Sequence, residues 1–153
     1  MEKLIKPKLN HVKEIHKIIN DYAKERLMLP RSLFAIYENI RDFLIVIDDQ
    51  TDSVLGCGAL HVAWEDLAEI KSLAILKDVK RKGYGKLIVE GLMKEAKELG
   101  IKKVFALTYV PDFFKKFDFI QIDRDTLPHK IWAECIHCPY FPNCNEIALI
   151  KEI

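Results

Sequence analysis

The chain opens without an uninterrupted apolar run: charges break up MEKLIKPKLNHVKEI throughout, which argues against a secretory signal. No stretch approaches the ~20 apolar residues of a membrane-spanning helix. The formal net charge is only +1, so no overall field calls for nucleic acid or an anionic membrane as a partner. Internal repeats, low-complexity tracts and Ser/Gly linkers are lacking, and with them any sign of a domain boundary. Neither G-x-x-x-x-G-K-[ST] nor G-x-G-x-x-G occurs, which disfavours nucleoside triphosphates and NAD. These absences leave a cytoplasmic protein of one domain, residues 1–153, as the expectation.

What remains is an ordinary globular composition, 50% hydrophobic and 31% charged. Hydrophobic spacing then orders the elements. A short strand is expected at 3–6. A helix follows over about 11–27, with Asn10 as its N-cap and Val12, Ile15, Ile18, Ile19 and Tyr22 as its buried stripe. A second helix is expected over about 31–41, burying Leu33, Ile36, Tyr37 and Ile40. FLIVI at 43–47 and VLGCGALHVAW at 54–64 flank the turn chemistry of DDQTDS and read as an antiparallel hairpin. A strand at 67–76 leads to a helix over about 83–99, with Leu87, Ile88, Gly91, Leu92, Ala96 and Leu99 inward and Gly100 closing it. Glu90 and Lys94 then fall four apart on its outer face. KVFALT at 103–108 suits a buried strand, a short helix spans about 111–117, FIQI is extended, and 146–153 closes the chain as a strand. The order β-α-α-β-β-β-α-β-α-β-β is mixed α/β.

One junction carries most of the chemistry. Lys80, Arg81, Lys82, Gly83, Tyr84, Gly85 and Lys86 fall between a strand and the start of a helix. Leading N–H groups and the helix dipole favour an anion there. Two glycines let the backbone approach it, and a diphosphate is the natural guest. A basic, solvated turn is the competing reading of the same residues.

LAILKDVKRKGYGKL resembles motif A of the GNAT acetyltransferase superfamily, whose loop [Q/R]-x-x-G-x-[G/A] holds the pyrophosphate of acetyl-CoA. Lys80 stands where Gln or Arg is usual. FFKKFDF is similar to the family's Y-x-K-x-G-F, with Phe114 in place of the tyrosine and Asp118 in place of the glycine. Within the superfamily the chain most resembles the short, stand-alone N-acetylglutamate synthases, which lack an amino-acid-kinase domain. LPRSLFAIYENI, AEIKSLAI, KVFALTYVPDFFKKFDF and TLPHKIWAECIHCPYFPNC carry that likeness in order. It implies a mostly antiparallel central sheet with helices on both faces and a splayed central strand pair. It also implies transfer of the acetyl group of acetyl-CoA to an α-amine, that of L-glutamate in arginine synthesis. A GNAT enzyme for another small amine or a protein terminus, and a CoA- or metal-binding module without turnover, are the alternatives. A homodimer is left open.

Such a transfer must deprotonate an ammonium, polarise a carbonyl, hold two reactants together and release a thiolate. Strand alternation puts Glu69, Lys71, Leu73 and Ile75 on one face. The resemblance makes Glu69 the base; a solvated glutamate paired with Lys71 is the structural alternative. It also implies that Leu73 and Ile75 bind through main-chain atoms, with a backbone N–H near Leu73 meeting the oxyanion. Phe114 has no hydroxyl to protonate the thiolate, and Thr108, or Tyr109 beside it, stands at the end of KVFALT to do so. Arg31, whose planar fork suits a carboxylate, is the first candidate for the acceptor's acid group, and Lys71 the second.

Cys135, Cys138 and Cys144 form C-x₂-C-x₅-C. A tetrahedral zinc site wants four ligands, so His129, His137 or Cys57 would have to complete it; Cys57, within GCGAL, reads instead as a buried small residue. An iron–sulfur cluster lacks a fourth cysteine in the same way. Zinc or Fe–S ligation, packed thiols and a disulfide or redox pair all stay open.

Overall fold

A computed structural model describes residues 1–127 and 146–153. The cysteine stretch lies outside them. Seven strands form one sheet in the order β1-β2-β3-β4-β5-β7-β6. They are β1 Glu2–Ile5, β2 Phe43–Asp48, β3 Val54–Trp64, β4 Leu67–Ile75, β5 Lys103–Thr108, β6 Ile120–Ile122 and β7 Ile147–Glu152. The helices are α1 Val12–Lys24, α2 Leu33–Glu38, α3 Tyr84–Leu99 and α4 Pro111–Lys115. Every neighbouring pair is antiparallel except β4–β5. The element order is the one the sequence spacing predicts.

Apolar side chains divide between the two faces. On one, α1 and α2 cover Ile45, Cys57, Ala59 and Ala74 with Val12, Ile15, Ile19 and Ile36. On the other, α3 lays Ile88, Val89, Leu92 and Ala96 over Val46, Leu60, Ile70, Val104 and Ala106, and Phe114 of α4 joins them. β2 contributes to both, which is why FLIVI is apolar at consecutive positions. Gly91 lets α3 come close: a Cβ there would lie 2.8 Å from side-chain atoms of Leu4 and Leu44.

Several boundaries differ from the spacing-based expectation. A 3-10 turn, Leu9–His11, precedes α1. Asn10 does not cap it; its amide donates to Asp52 in the β2–β3 turn at 3.1 Å, and the Lys8 N–H goes to His11 Nδ1 at 2.9 Å. α2 is only six residues long, capped by Ser32 Oγ accepting from the Ala35 N–H. It stops at Asn39, whose amide donates back to the Ala35 carbonyl at 2.8 Å, and a 3-10 turn, Ile40–Asp42, completes the segment. Leu33 and Tyr37 are consequently exposed, and only Ile36 of the expected stripe is fully buried. Leu87 and Leu99 of α3 also face outward, at 41% and 63% exposure, because Tyr84, Ile88, Val89, Leu92 and Ala96 make the inward stripe.

The largest departure is in β4. Cys57 faces Ala74 and Ala59 faces Lys71, so Ser72 and Leu73 together oppose Gly58. This is a β-bulge, with Ser72 left-handed at φ 56°. It reverses the alternation. Glu69 and Lys71 share the α1 face with their partners His61 and Ala59. Leu73 and Ile75 pack instead against the α3 core. The expectation of one shared face for all four is therefore corrected by a single extra residue. Gly58 makes room for it: a Cβ there would lie 2.7 Å from Ile88 Cγ2 and 3.1 Å from Leu73 Cδ1.

Candidate active site

β4 and β5 pair only at Leu67–Lys103, Ala68–Val104 and Glu69–Phe105. Past Glu69 the two strands separate, and the bulge at Ser72 bends β4 further away. A cavity of about 1150 Å³ fills the gap. It is lined from both sides of the sheet: by Tyr22, Met28 and Arg31 on the α1 side, and by Tyr84, Phe113 and Phe117 on the other. The cavity is thus a slot through the sheet, with a mouth on each face.

One end of the slot is the loop into α3. Lys80, Arg81, Gly83, Tyr84, Gly85 and Lys86 line it, whereas Lys82 does not. Arg81 and Gly83 are both left-handed, at φ 70° and 85°, and curl the loop into a concave turn. Gly83 is the N-cap of α3 and offers no capping side chain, so the leading N–H groups of the helix stay open to an anion. Gly85 faces the ring of Phe113, 3.3 Å from where its Cβ would stand. The Tyr84 hydroxyl donates to Glu2 Oε1 at 2.6 Å and ties the loop to β1. That bond holds the tyrosine pKa up and the glutamate pKa down. Lys80, the departure from the usual Gln or Arg, places its ammonium 4.9 Å from the Tyr22 ring centroid. Tyr22 in turn donates from its hydroxyl to the Ile75 carbonyl at 2.6 Å, so α1, β4 and the loop meet at one point.

The other mouth gathers Glu69, Lys71 and Arg31. Glu69 is 9% exposed, a buried acid at the last position of β4 that pairs with β5. Arg31 is fixed through its backbone: Asn20 of α1 donates to its carbonyl at 2.8 Å and accepts from its N–H at 3.3 Å. Its side chain is left to face the cavity, and no carboxylate among the described residues lies within ion-pair distance of it.

Thr108 ends β5, 8% exposed, and lines the slot with Tyr109. Its hydroxyl oxygen accepts from the Val110 N–H at 3.0 Å, which leaves its hydrogen able to donate. Thr108 continues the β5 alternation of Val104 and Ala106, the α3 side, so it meets the slot from the side opposite Glu69. Phe114 is buried at 4% exposure, edge-on to Phe113 and Phe119. Asp118 takes φ 69°, the conformation for which glycine is favoured at that motif position.

The slot brings together every predicted site residue among those described except Lys82. Leu73 and Ile75 reach it beside an edge of β4 that has no strand partner on the β5 side. Sequence reasoning missed Arg124 and Glu146, which also line the cavity; their part comes from β6 and β7 folding back beside β5, and no spacing signals that. Cys57 is fully buried, its thiol pushed up to about 12 by that burial, and it donates to the Ser72 carbonyl at 3.4 Å. Among the described residues no group of three His, Cys, Asp or Glu side chains suits a metal ion, and Cys135, Cys138 and Cys144 lie outside them. None of the helices described is long and apolar enough to cross a membrane.

Comparison with known proteins agrees with this geometry. Residues 10–119 match the acetyltransferase (GNAT) family. An uncharacterized N-acetyltransferase of Chlorobaculum tepidum is 40% identical over 91% of this chain and 88% of its own length. An amino-acid acetyltransferase of Mycobacterium tuberculosis is 32% identical over 80% and 71%. Among solved structures, a Mycobacterium tuberculosis protein in complex with CoA and a second ligand superposes with a TM-score of 0.86 at 25% identity, over 99% of both chains. N-acetylglutamate synthase from Neisseria gonorrhoeae, complexed with coenzyme A and N-acetyl-glutamate, has a TM-score of 0.89 at 23% identity. It covers 99% of this chain and 35% of that one, and the likeness is one of fold.

Proposed function

This chain belongs to the GNAT family of acetyl-CoA-dependent N-acetyltransferases, and on that premise we propose that its acceptor is the α-amine of an amino acid, L-glutamate, as in the first step of arginine synthesis. The single observation behind this assignment is that Arg31, Lys71 and the buried Glu69 line one cavity together with the loop 80–86. Two cations suit a dicarboxylate, and an acid lining the same cavity suits its ammonium. The name of the relative from Mycobacterium tuberculosis, an amino-acid acetyltransferase, supports the same class.

In this proposal the loop 80–86 holds the pyrophosphate, and the unpartnered edge of β4 at Leu73 and Ile75 pairs with the amides of the pantetheine arm. Arg31 binds a carboxylate of the acceptor through its fork, with Lys71 beside it. Glu69 removes a proton from the ammonium, so that the amine can attack the thioester carbonyl. A backbone N–H near Leu73 meets the oxyanion. As the tetrahedral intermediate collapses, its nitrogen gives its second proton to the Thr108 oxygen while the Thr108 hydroxyl hands its own to the departing thiolate, so Thr108 is restored; Phe114 has no hydroxyl to do so. A single domain acting in the cytoplasm on this small substrate is part of the same proposal.

The test is a panel of amines offered with acetyl-CoA, reading free thiol. L-Glutamate, or L-glutamate above other amino acids, is the expected acceptor. Release only with polyamines or peptides would refute it.

A further inference from the structure

At neutral pH the acceptor enters as an ammonium and CoA leaves as a thiol. The balance is R–NH₃⁺ + acetyl–S–CoA → R–NH–acetyl + HS–CoA + H⁺. One proton must therefore leave the site in every turnover. A base buried at 9% exposure needs a route for it.

The sheet supplies a row of three side chains that no step above uses as a group. Asp42 closes the 3-10 turn before β2, His61 lies on β3 and Glu69 on β4. His61 and Glu69 are direct cross-strand partners, so their side chains share a face with Cβ atoms about 5 Å apart. On the other side of His61, Asp42 Oδ2 stands 2.9 Å from Nδ1. The carboxylate makes Nδ1 the donor and leaves Nε2, on the far edge of the ring, as the acceptor. His61 is the most exposed member of the row: its side chain is 35% exposed and that of Asp42 28%, whereas Glu69 is buried at 9%. His61 does not line the cavity. Lys71, two residues after Glu69 on β4, is a further charged group on this face.

We propose that His61, oriented by Asp42, is the proton exit of Glu69. This rests on the assignment of Glu69 as the base. The proton that Glu69 takes from the ammonium passes to Nε2 of His61, and the imidazolium returns it to solvent. Imidazole is the side chain suited to carry a proton near neutral pH. Since His61 acts through Glu69, it is a positioning and relay residue rather than one that touches substrate. The bland function of the Asp42–His61 bond is to fasten the turn onto β3, and the experiment must separate the two.

The experiment measures kcat at saturating acetyl-CoA in dilute buffer, with L-glutamate or, if the panel selects another, the best acceptor found. His61→Ala is expected to lower kcat about tenfold, to leave the acetyl-CoA KM unchanged, and to regain rate as imidazole is added. Asp42→Asn should lose less. His61→Gln keeps a hydrogen-bonding group towards Asp42 but carries no proton; it should be slow, rescuable and as heat-stable as the parent, and it carries the test if the alanine variant folds poorly. An unchanged kcat, or a loss in the folded variants that imidazole does not restore, overturns the proposal, the latter in favour of fastening alone. Glu69→Gln is measured alongside. Full activity there removes the base and the exit together; an inactive Glu69→Gln beside a fully active His61→Ala removes the exit only.

Discussion

Arg31→Ala tests the acceptor mouth most directly. The side chain faces the slot, while its backbone is held on both sides by Asn20. Truncation should therefore remove the cation without moving the segment. A charge-assisted hydrogen bond contributes about 1.5–3 kcal/mol. Arg31 is only half-buried, so the lower part of that range applies, about 1.5–2 kcal/mol. At 1.4 kcal/mol per factor of ten, the acceptor KM should rise about 10- to 30-fold. The acetyl-CoA KM should stay within about twofold, because Arg31 belongs to a different segment of the cavity wall from the loop 80–86. Arg31→Lys should fall between the two, keeping charge but losing the fork. Initial rates of thiol release, with each substrate varied in turn, give both constants. An unchanged acceptor KM would refute the assignment of Arg31. A parallel rise in both constants would refute the claim that Asn20 holds the segment independently of the side chain.

Three further outcomes follow from other parts of the structure. Gly85→Val should raise the acetyl-CoA KM about tenfold or more with little change in the acceptor KM, since a Cβ there already meets the Phe113 ring at 3.3 Å and a branched side chain overfills the turn; titration with CoA by calorimetry reads it. Cys57, fully buried with its thiol held up to about 12, should resist iodoacetamide in the native protein and label only on unfolding, as read by mass spectrometry of its peptide. Asp52 is held below the ordinary 3.8 chiefly by its hydrogen bond with His11. A lowered carboxylate pKa contributes stability above the unfolded value, and that stability disappears as pH falls through the folded one. Asp52→Asn should thus lower Tm at pH 7, and the gap from the parent should close on acidification below about pH 4.

How much of this was readable beforehand depends on what each feature rests on. The eleven strands and helices follow hydrophobic period and turn residues, which are local, and their order was legible. The place of the loop 80–86 at the start of α3 was legible too, because its glycines, basic residues and strand–helix setting all fall within a few positions. Caps were harder. Asn10 has the right chemistry for an N-cap, yet Asp52, forty-two residues away, takes its amide. The early end of α2 turns on the amide of Asn39, which outweighs the apolar spacing of Tyr37 and Ile40. Arg124 and Glu146 reach the slot only through the pairing of β6 and β7, which is non-local. The bulge was illegible for a different reason. LAEIKSLAI alternates well enough to read as a regular strand, and Ser72 does not advertise φ 56°. What calls for the bulge is on the neighbouring strand, where Gly58 leaves the space that Leu73 takes.

That one residue also explains why the site can exist. In an unbulged strand, a face carrying Glu69 and Lys71 would carry Leu73 and Ile75 as well, and the α3 core would lose both. Putting the acid and the cation on the α1 face while seating the two apolar side chains against α3 needs an odd residue between them, and Ser72 is that residue. Pairing with β5 has already ended at Glu69, so the polar pair stands beside a gap, and the backbone beyond it has no strand partner on that side. Unpaired strand edges are costly unless water or another chain of amides meets them. Here the unpaired edge lies along the route from the anion loop to Glu69, where an extended, amide-bearing arm would run. The end of β4–β5 pairing at Glu69 and the bulge at Ser72 thus act on the same stretch of β4, one opening the edge and the other sorting its side chains between the two faces.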